Sequence, residues 1–289
     1  MINRKDILIR CSFIHLIMQN EKGSVFTEAN QSRIDELRAR TKPLTVKMME
    51  ELIGLLDKKE MFSTIKLSDS CKSYLRGLYL NHKYGNRYSF INNGSQNITP
   101  MVRGIKQEDW AVKMLSEFRG CKYFRHKGRI KNEYLIGSAD VFDNKDILKA
   151  KRVIEIKTKG TIADFNKRVG TDLEENHRLQ VQGYLSLTGK ELGEIVYCLV
   201  PPTESVIQEQ KELFYNLDKN KKNLNLDKKW AEIESDIRFN DIPLNEKIIS
   251  YKVERDNKLI DQIRERVEIC RDWILDFEKY HIDWLNQNK

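Results

Sequence analysis

The chain has 289 residues, of which 40% are hydrophobic and 33% charged, a composition typical of a globular protein with a heavily charged surface. No apolar run approaches the roughly 20 residues that a membrane-spanning helix needs. The five cysteines include no CxxC pair, which disfavours a zinc site or an iron–sulfur cluster and suits reduced thiols in a cytoplasm. The net charge of +8 is compatible with nucleic acid as a partner, although solvated lysines produce the same balance.

The N-terminal third of the sequence is predicted to be mostly helical. Its first twenty residues begin basic and are interrupted by polar side chains, so we expect them to belong to the fold and not to a signal peptide. Apolar residues at helical spacing predict helices over 44–59 and 68–84, with Ser68 as the N-cap of the second. The Gly-, Asn- and Ser-rich segment 85–99 predicts a loop after this helical part.

The rest of the chain alternates between strand and helix patterns. Strands are predicted over 121–127, 133–142, 152–158, 193–200 and 247–254, and helices over 100–118, 174–188, 203–217, 227–237 and 256–283. The last helix has one apolar stripe, for which packing on its own domain is favoured over a partner-binding coiled coil. We therefore expect a single domain over 1–289, with a helical part to residue 99, a catalytic core over 100–202 and a helical C-terminal part.

The strand 152–158 carries two charged residues on one face. Because side chains alternate along a strand, Ile154 and Ile156 are expected to face a core, while Glu155 and Lys157 share the opposite face. A carboxylate and an amine at the centre of an apolar strand are costly to bury unless they are paired or bound to a metal. A surface strand with an ordinary salt-bridged face is the alternative, since such triplets are frequent.

A second carboxylate, Asp140, is expected near Glu155. The turn residues that follow it, 143–146, predict a hairpin-like pairing of the strands that carry the two. Two adjacent carboxylates repel each other unless a cation or a proton lies between them, and Mg²⁺ prefers oxygen ligands. Alone, Asp140 would be interpreted as a strand-end residue that caps the turn.

Two helices add further candidates. In the helix over 100–118, Glu108 shares a stripe with Ala111, Leu115 and Phe118, which predicts either a metal ligand or a side chain that reaches water from the edge of the stripe. In the helix over 174–188, Gln180 and Tyr184 share a face. Their polar groups are suited to contact a phosphate or a catalytic lysine; the alternative is a half-buried polar edge. His177 lies on the same face and is interpreted as an edge histidine, because Mg²⁺ avoids imidazole.

Four segments in this order resemble the PD-(D/E)XK nuclease superfamily, in its phage lambda-exonuclease-like (YqaJ-type) branch. The matching text is Arg103-Gly104-x-x-x-Glu108-x-x-Ala111, Gly137-Ser138-Ala139-Asp140, Glu155-Ile156-Lys157, and Gln180-x-x-Gly183-Tyr184 with Thr188-Gly189. The resemblance covers roughly residues 100–200, and each motif alone is weak. It implies an α/β fold with a restriction-endonuclease-like core, in which helices flank a mixed sheet, with additional N- and C-terminal helices. The family's usual proline before the aspartate is replaced here by Ala139.

The resemblance implies a Mg²⁺-dependent deoxyribonuclease, most simply a phage-type 5′–3′ exonuclease of recombination or replication. One or two Mg²⁺ ions, replaceable by Mn²⁺, would be held by Glu108, Asp140, Glu155 and the carbonyl of Ile156. Lys157 would act on the nucleophilic water or the transition state, supported by Gln180 and Tyr184, the remaining catalytic candidates.

DNA contacts are expected away from the metal. A weaker match over Cys11–His15 resembles the segment whose serine holds the DNA 5′-phosphate, which implicates Ser12. Basic residues before the Asp140 strand could grip backbone phosphates, although a solvated basic hairpin is an equal alternative. These residues are Lys122, Arg125, His126, Lys127, Arg129 and Lys131. The resemblance also allows a single-strand annealing protein as a partner, a homo-oligomer, and a host cytoplasmic location.

Three other functions compete with the exonuclease. They are an endonuclease of the same superfamily, a nuclease-fold protein that binds DNA without cutting it, and a phage structural or assembly protein with a coincidental motif set. The intact acidic and lysine positions argue against the protein that binds DNA without cutting it.

Overall fold

The computed structural model describes residues 2–20, 28–41, 43–61, 66–85, 100–218 and 225–287. Its backbone contacts form two compact units. The terminal unit comprises Met1–Leu8, Phe13–Asn92 and Asp261–Lys289, and the sheet unit comprises Ile9–Ser12 and Asn93–Ile260. Each unit is built from segments that are separated in the sequence. The three parts expected from the sequence were instead consecutive stretches of the chain.

The terminal unit is helical. It contains α1 (Ile14–Ile17), α2 (Glu28–Arg38), α3 (Val46–Met61) and α4 (Asp69–Tyr84). The predicted helices over 44–59 and 68–84 correspond to α3 and α4. Ser68 caps α4 as predicted, because its Oγ accepts a hydrogen bond from the backbone N–H of Cys71 at 3.2 Å. Residues 86–99 of the predicted loop lie outside the described residues.

The sheet unit contains two β-sheets. Its strands are β1 (Ile9–Arg10), β2 (Phe124–Arg125), β3 (Ile130–Lys131), β4 (Leu135–Gly137), β5 (Val141–Phe142), β6 (Arg152–Lys159), β7 (Leu192–Leu199) and β8 (Ile248–Glu254). The larger sheet has the order β2-β5-β6-β7-β8, with β6 parallel to β7 and the other pairs antiparallel. The smaller sheet has the order β1-β4-β3. The antiparallel pair β5–β6 is the hairpin-like pair that the sequence predicts.

Two strand predictions need correction. Only Phe124–Arg125 of the segment 121–127 forms a strand. The single strand predicted over 133–142 is two short strands in different sheets, because the chain leaves the smaller sheet after β4 and joins the larger one at β5. The break places Asp140 in the crossing segment, where its backbone carbonyl accepts a hydrogen bond from the N–H of His126 at 3.0 Å.

The sheet unit also contains helices. They are α5 (Pro100–Arg119), α6 (Ile162–Asn166), α7 (Glu175–Thr188), α8 (Glu204–Asp218), α9 (Leu226–Arg238) and the start of α10 (Asn257–Gln287). All but the short α6 were predicted to within about four residues, and Gly189 ends α7 in the left-handed conformation with φ 67°. The predicted stripe of α10 is buried at Ile260, Ile263, Val267, Cys270 and Ile274.

The helix α5 packs its apolar side against β6. Ala111 and Leu115 are fully buried in one cluster with Ile154 and Ile156, so the predicted core face of β6 is confirmed. Phe118, expected on the same stripe, is 42% exposed, so that part of the prediction is wrong. The buried side of α5 instead includes Gln107 and Met114, which places Glu108 at its edge.

Within the part of the chain that the model describes, no helix is both long and apolar enough to cross a membrane.

Candidate active site

Glu155 and Lys157 lie together on the second face of β6. That face is covered by α7, so Glu155 is only 4% exposed, and the interpretation of a solvated surface strand is wrong. The Nζ of Lys157 donates a hydrogen bond to Oε1 of Glu155 at 2.7 Å. Burial lowers the pKa of Lys157, but the charges of Glu155 and Asp140 outweigh it and raise the pKa overall. Lys157 is therefore a protonated cation held beside a buried carboxylate.

Gln180 of α7 joins these two groups into a network. Its Oε1 accepts a hydrogen bond from Lys157 Nζ at 3.0 Å, and its Nε2 donates to Oε1 of Glu155 at 2.7 Å and to the hydroxyl of Tyr184 at 2.9 Å. Gln180 and Tyr184 are 7% and 5% exposed, so they are not a half-buried polar edge. Burial and the charge of Glu155 raise the pKa of Tyr184, which keeps its hydroxyl neutral.

Asp140 lies beside this network. Its Oδ2 accepts a hydrogen bond from the backbone N–H of Ile156 at 2.9 Å. In a strand the N–H and C=O of one residue point to the same side, so the carbonyl of Ile156 lies on the Asp140 side of β6. Burial and the negative charge of Glu155 raise the pKa of Asp140 well above its ordinary range, and Glu108 adds to this effect. The three carboxylates therefore repel one another across a common space.

The chemistry of these groups fits a hard cation. Oε2 of Glu155 is buried and has no hydrogen-bond partner among the described residues, although such oxygens are ordinarily paired. A cation between Asp140 and Glu155 would satisfy that oxygen and relieve the repulsion. Over the described residues, however, no three carboxylate, imidazole or thiol side chains already have the arrangement of a metal site.

Glu108 is engaged by Arg125 in this structure. The Arg125 guanidinium forms an ion pair with Glu108 and another with Asp109 at 2.7 Å. Burial raises the pKa of Glu108, and the charge of Arg125 opposes that rise. Arg125, expected to grip DNA, thus faces carboxylates, whereas other residues of the predicted basic hairpin are exposed at Lys122, Lys127, Arg129 and Lys131.

Of the N-terminal motif, Cys11 and Ser12 belong to the sheet unit. The strand β1 runs parallel to β4, and Ser12, which follows it, is exposed. Its neighbour Cys11 is buried, and burial followed by the charge of Glu155 raises the pKa of its thiol. Ser12 directly follows this buried cysteine, and its role in binding phosphate stays a prediction.

Sequence reasoning assigned no role to Gly137, which shapes the site. A Cβ on Gly137 would lie 2.7 Å from Cε1 of Tyr184 and 2.8 Å from the sulfur of Cys11, so only glycine allows β4 to approach α7 this closely. An isolated glycine in a strand pattern is the signal that predicts such an approach. His177, by contrast, is confirmed as an edge residue, with its Nδ1 2.6 Å from the hydroxyl of Tyr197.

The fold is mixed α/β, with a restriction-endonuclease-like mixed sheet between helices. It is similar to a phage-related exonuclease from Haemophilus somnus 129PT, with a TM-score of 0.58 and 19% identity over 95% of this chain and 96% of the other. An alkaline exonuclease from Laribacter hongkongensis has a TM-score of 0.49 and 16% identity over 76% of this chain and 88% of its own. No protein-family model and no curated protein matches the sequence. At this identity the first likeness shows the fold alone.

Proposed function

We propose that this protein is a Mg²⁺-dependent DNA nuclease, and specifically a phage-type 5′–3′ exonuclease of recombination or replication. The observation that carries the proposal is the buried network in which Lys157 and Gln180 share one oxygen of Glu155 while Asp140 faces it from the crossing segment. Such a group of carboxylates with one fixed cation, on this fold, suits phosphodiester hydrolysis.

The residues that would hold Mg²⁺ are Asp140, Glu155 and the carbonyl of Ile156, with Glu108 as a fourth ligand once Arg125 releases it. When bound, one or two ions would acidify a water molecule and neutralise charge on the scissile phosphate. Because the Ile156 N–H occupies only Oδ2 of Asp140, the other carboxylate oxygen of that residue is left for a ligand.

The surrounding residues have separable roles in the proposed reaction. Lys157 supplies a fixed positive charge to the attacking water or to the charge that develops on the phosphate. Gln180 holds both Lys157 and Glu155, so it positions the two reactive groups relative to each other. Tyr184 stays neutral and anchors Gln180. Association with an annealing protein and formation of a homo-oligomer are proposals that this network does not address.

The direct test uses end-labelled linear DNA and closed circular DNA of the same sequence, with Mg²⁺, with Mn²⁺ and with excess chelator. We expect release of nucleotides from the 5′ ends of linear DNA with either metal, and none with chelator. Cleavage of the circle would favour an endonuclease of the same superfamily. Full activity in chelator, or no cleavage of any substrate, would contradict the proposed function.

A further inference from the structure

A second group of cations borders the network on β6. Lys159 follows Glu155 and Lys157 on the same face of the strand, where residues two apart are separated by about 7 Å. Its Nζ lies 5.6 Å from the centroid of the Tyr197 ring, and the guanidinium of Arg168 lies 5.3 Å from the same ring. Tyr197 is fully buried, so both cations are held against a fixed aromatic platform.

The platform is itself held by hydrogen bonds. The Tyr197 hydroxyl is 2.6 Å from Nδ1 of His177, and the ring packs edge-on against Tyr251. The Tyr251 hydroxyl donates to the carbonyl of Arg168 at 2.6 Å, which fixes the segment that carries this arginine. Lys159 and Arg168 are therefore positioned by the fold and are not freely moving surface side chains.

The negative charges of Glu174 and Asp164 act on Lys159, but Asp164 itself pairs with Lys167, so they offset the positive charge of this cluster only in part. Arg168 forms an ion pair with Glu174, but its Nε is buried without a hydrogen-bond partner among the described residues. The ammonium of Lys159 makes no hydrogen bond or ion pair within that part of the chain, and burial and the charge of Arg168 lower its pKa. Burial and the charge of Lys157 lower the pKa of His177 to about 4. His177 is therefore uncharged at neutral pH, and it is Lys159 and Arg168 that would gain from an anion lying between them.

We propose that Lys159 and Arg168 bind a second phosphate of the DNA strand that is cut, one next to the scissile phosphate. The inference rests on the proposed function, in which Lys157 acts at the scissile phosphate. Lys159 lies about 7 Å further along β6, which would place it beside the next phosphate. The contact is with the sugar–phosphate backbone of the DNA, so it is independent of base sequence. It would fix the register of the strand relative to Lys157.

The first test measures binding of a short DNA to the whole protein in chelator, where no cleavage occurs, over a range of salt concentrations. Lys159→Gln should reduce the slope of log affinity against log salt by about 0.9 for duplex or about 0.7 for single-stranded DNA. It should also weaken low-salt binding roughly tenfold. Lys159→Arg should restore both. The matched control is Lys167→Gln, an exposed lysine of the same segment that pairs with Asp164.

The second test locates the phosphate chemically. Single uncharged methylphosphonate linkages are placed at successive positions of the substrate, and KM and kcat are measured in Mg²⁺. Wild-type protein should show an increased KM for one linkage beside the cleavage site, with kcat little changed. Lys159→Gln should show no further increase for that linkage, because the same contact is already lost.

Three outcomes are distinguishable. A salt slope for Lys159→Gln equal to that of Lys167→Gln, or equal sensitivity of wild type and Lys159→Gln at every linkage, would overturn the inference while leaving a nuclease intact. Failure of the wild-type protein to bind or cut DNA would instead overturn the proposed function. Thermal unfolding checks the fold of each variant; Lys159→Met, which keeps the aliphatic stem beside Tyr197, replaces Lys159→Gln if that variant does not fold.

Discussion

Replacement of Asp140 by asparagine should stabilise the metal-free protein while it abolishes activity. An amide oxygen can still accept the 2.9 Å hydrogen bond from the Ile156 N–H, so the local backbone contact is kept. What is lost is one negative charge that faces Glu155 and Glu108. Removal of this electrostatic repulsion should raise the free energy of unfolding by about 0.5 to 2 kcal/mol. For a chain of 289 residues, with an unfolding entropy of about 2.1 cal/mol/K per residue, that corresponds to roughly 1 to 3 °C in the unfolding temperature.

The gain should depend on pH in a definite direction. The pKa of Asp140 is higher in the folded protein than in the unfolded chain, so its contribution to stability is fully present below the unfolded value, near 4. That contribution is lost as the pH rises through the raised folded value. The stability of wild type in chelator should therefore fall over this range, and Asp140→Asn should not follow it. The two proteins should converge at acidic pH and differ most above the raised pKa of Asp140 in the folded protein.

Mg²⁺ should reverse the order of the two proteins. A ligand at a concentration 100 times its dissociation constant stabilises the folded state by about 2.7 kcal/mol. Asp140→Asn should lose most of this stabilisation. The assay is thermal unfolding in chelator and in a Mg²⁺ series, with Asp172→Asn, an exposed carboxylate of the sheet unit, as the matched control. The reasoning would be refuted by an Asp140→Asn variant that is less stable than wild type in chelator. Equal stabilisation of both proteins by Mg²⁺ would refute the metal site.

Three further substitutions test separate parts of the site. Lys157→Ala should lower the single-turnover cleavage rate at least 10²-fold yet keep DNA binding in chelator, and a wild-type rate would remove the lysine from the reaction. Glu108→Gln should shift the Mg²⁺ dependence of cleavage to higher concentration, with partial recovery at high Mg²⁺; superimposable titrations would exclude it as a ligand. Gly137→Ala, whose Cβ would meet Tyr184, should lose about 1 to 3 kcal/mol in urea denaturation. The control Gly77→Ala, in a helix with open space at its Cβ, should gain about 0.5 to 1 kcal/mol, and equal effects of the two would contradict the close approach at Gly137.

Features that depend on local periodicity were predictable from the amino-acid sequence. The period of two along β6 separated Ile154 and Ile156 from Glu155 and Lys157, and the structure keeps that separation. Helical spacing placed Gln180 and Tyr184 on one face of α7, where a single amide joins them. Ser68 and Gly189 were predicted at helix ends because capping is a matter of a few neighbouring residues.

Which of these faces is covered, and which partner each charged side chain has, depends on the packing of elements that are distant in the chain. Periodicity shows that Glu155 faces away from the first core but cannot show that α7 covers the second face and buries it. The clustering of basic residues placed Arg125 among DNA-binding cations, whereas the packing of β2 near α5 gives it Glu108 as a partner. Periodicity also missed the meeting of Lys159 and Arg168 at Tyr197. Burial and electrostatic pairing arise from contacts between residues far apart in the chain, and no local repeat encodes them.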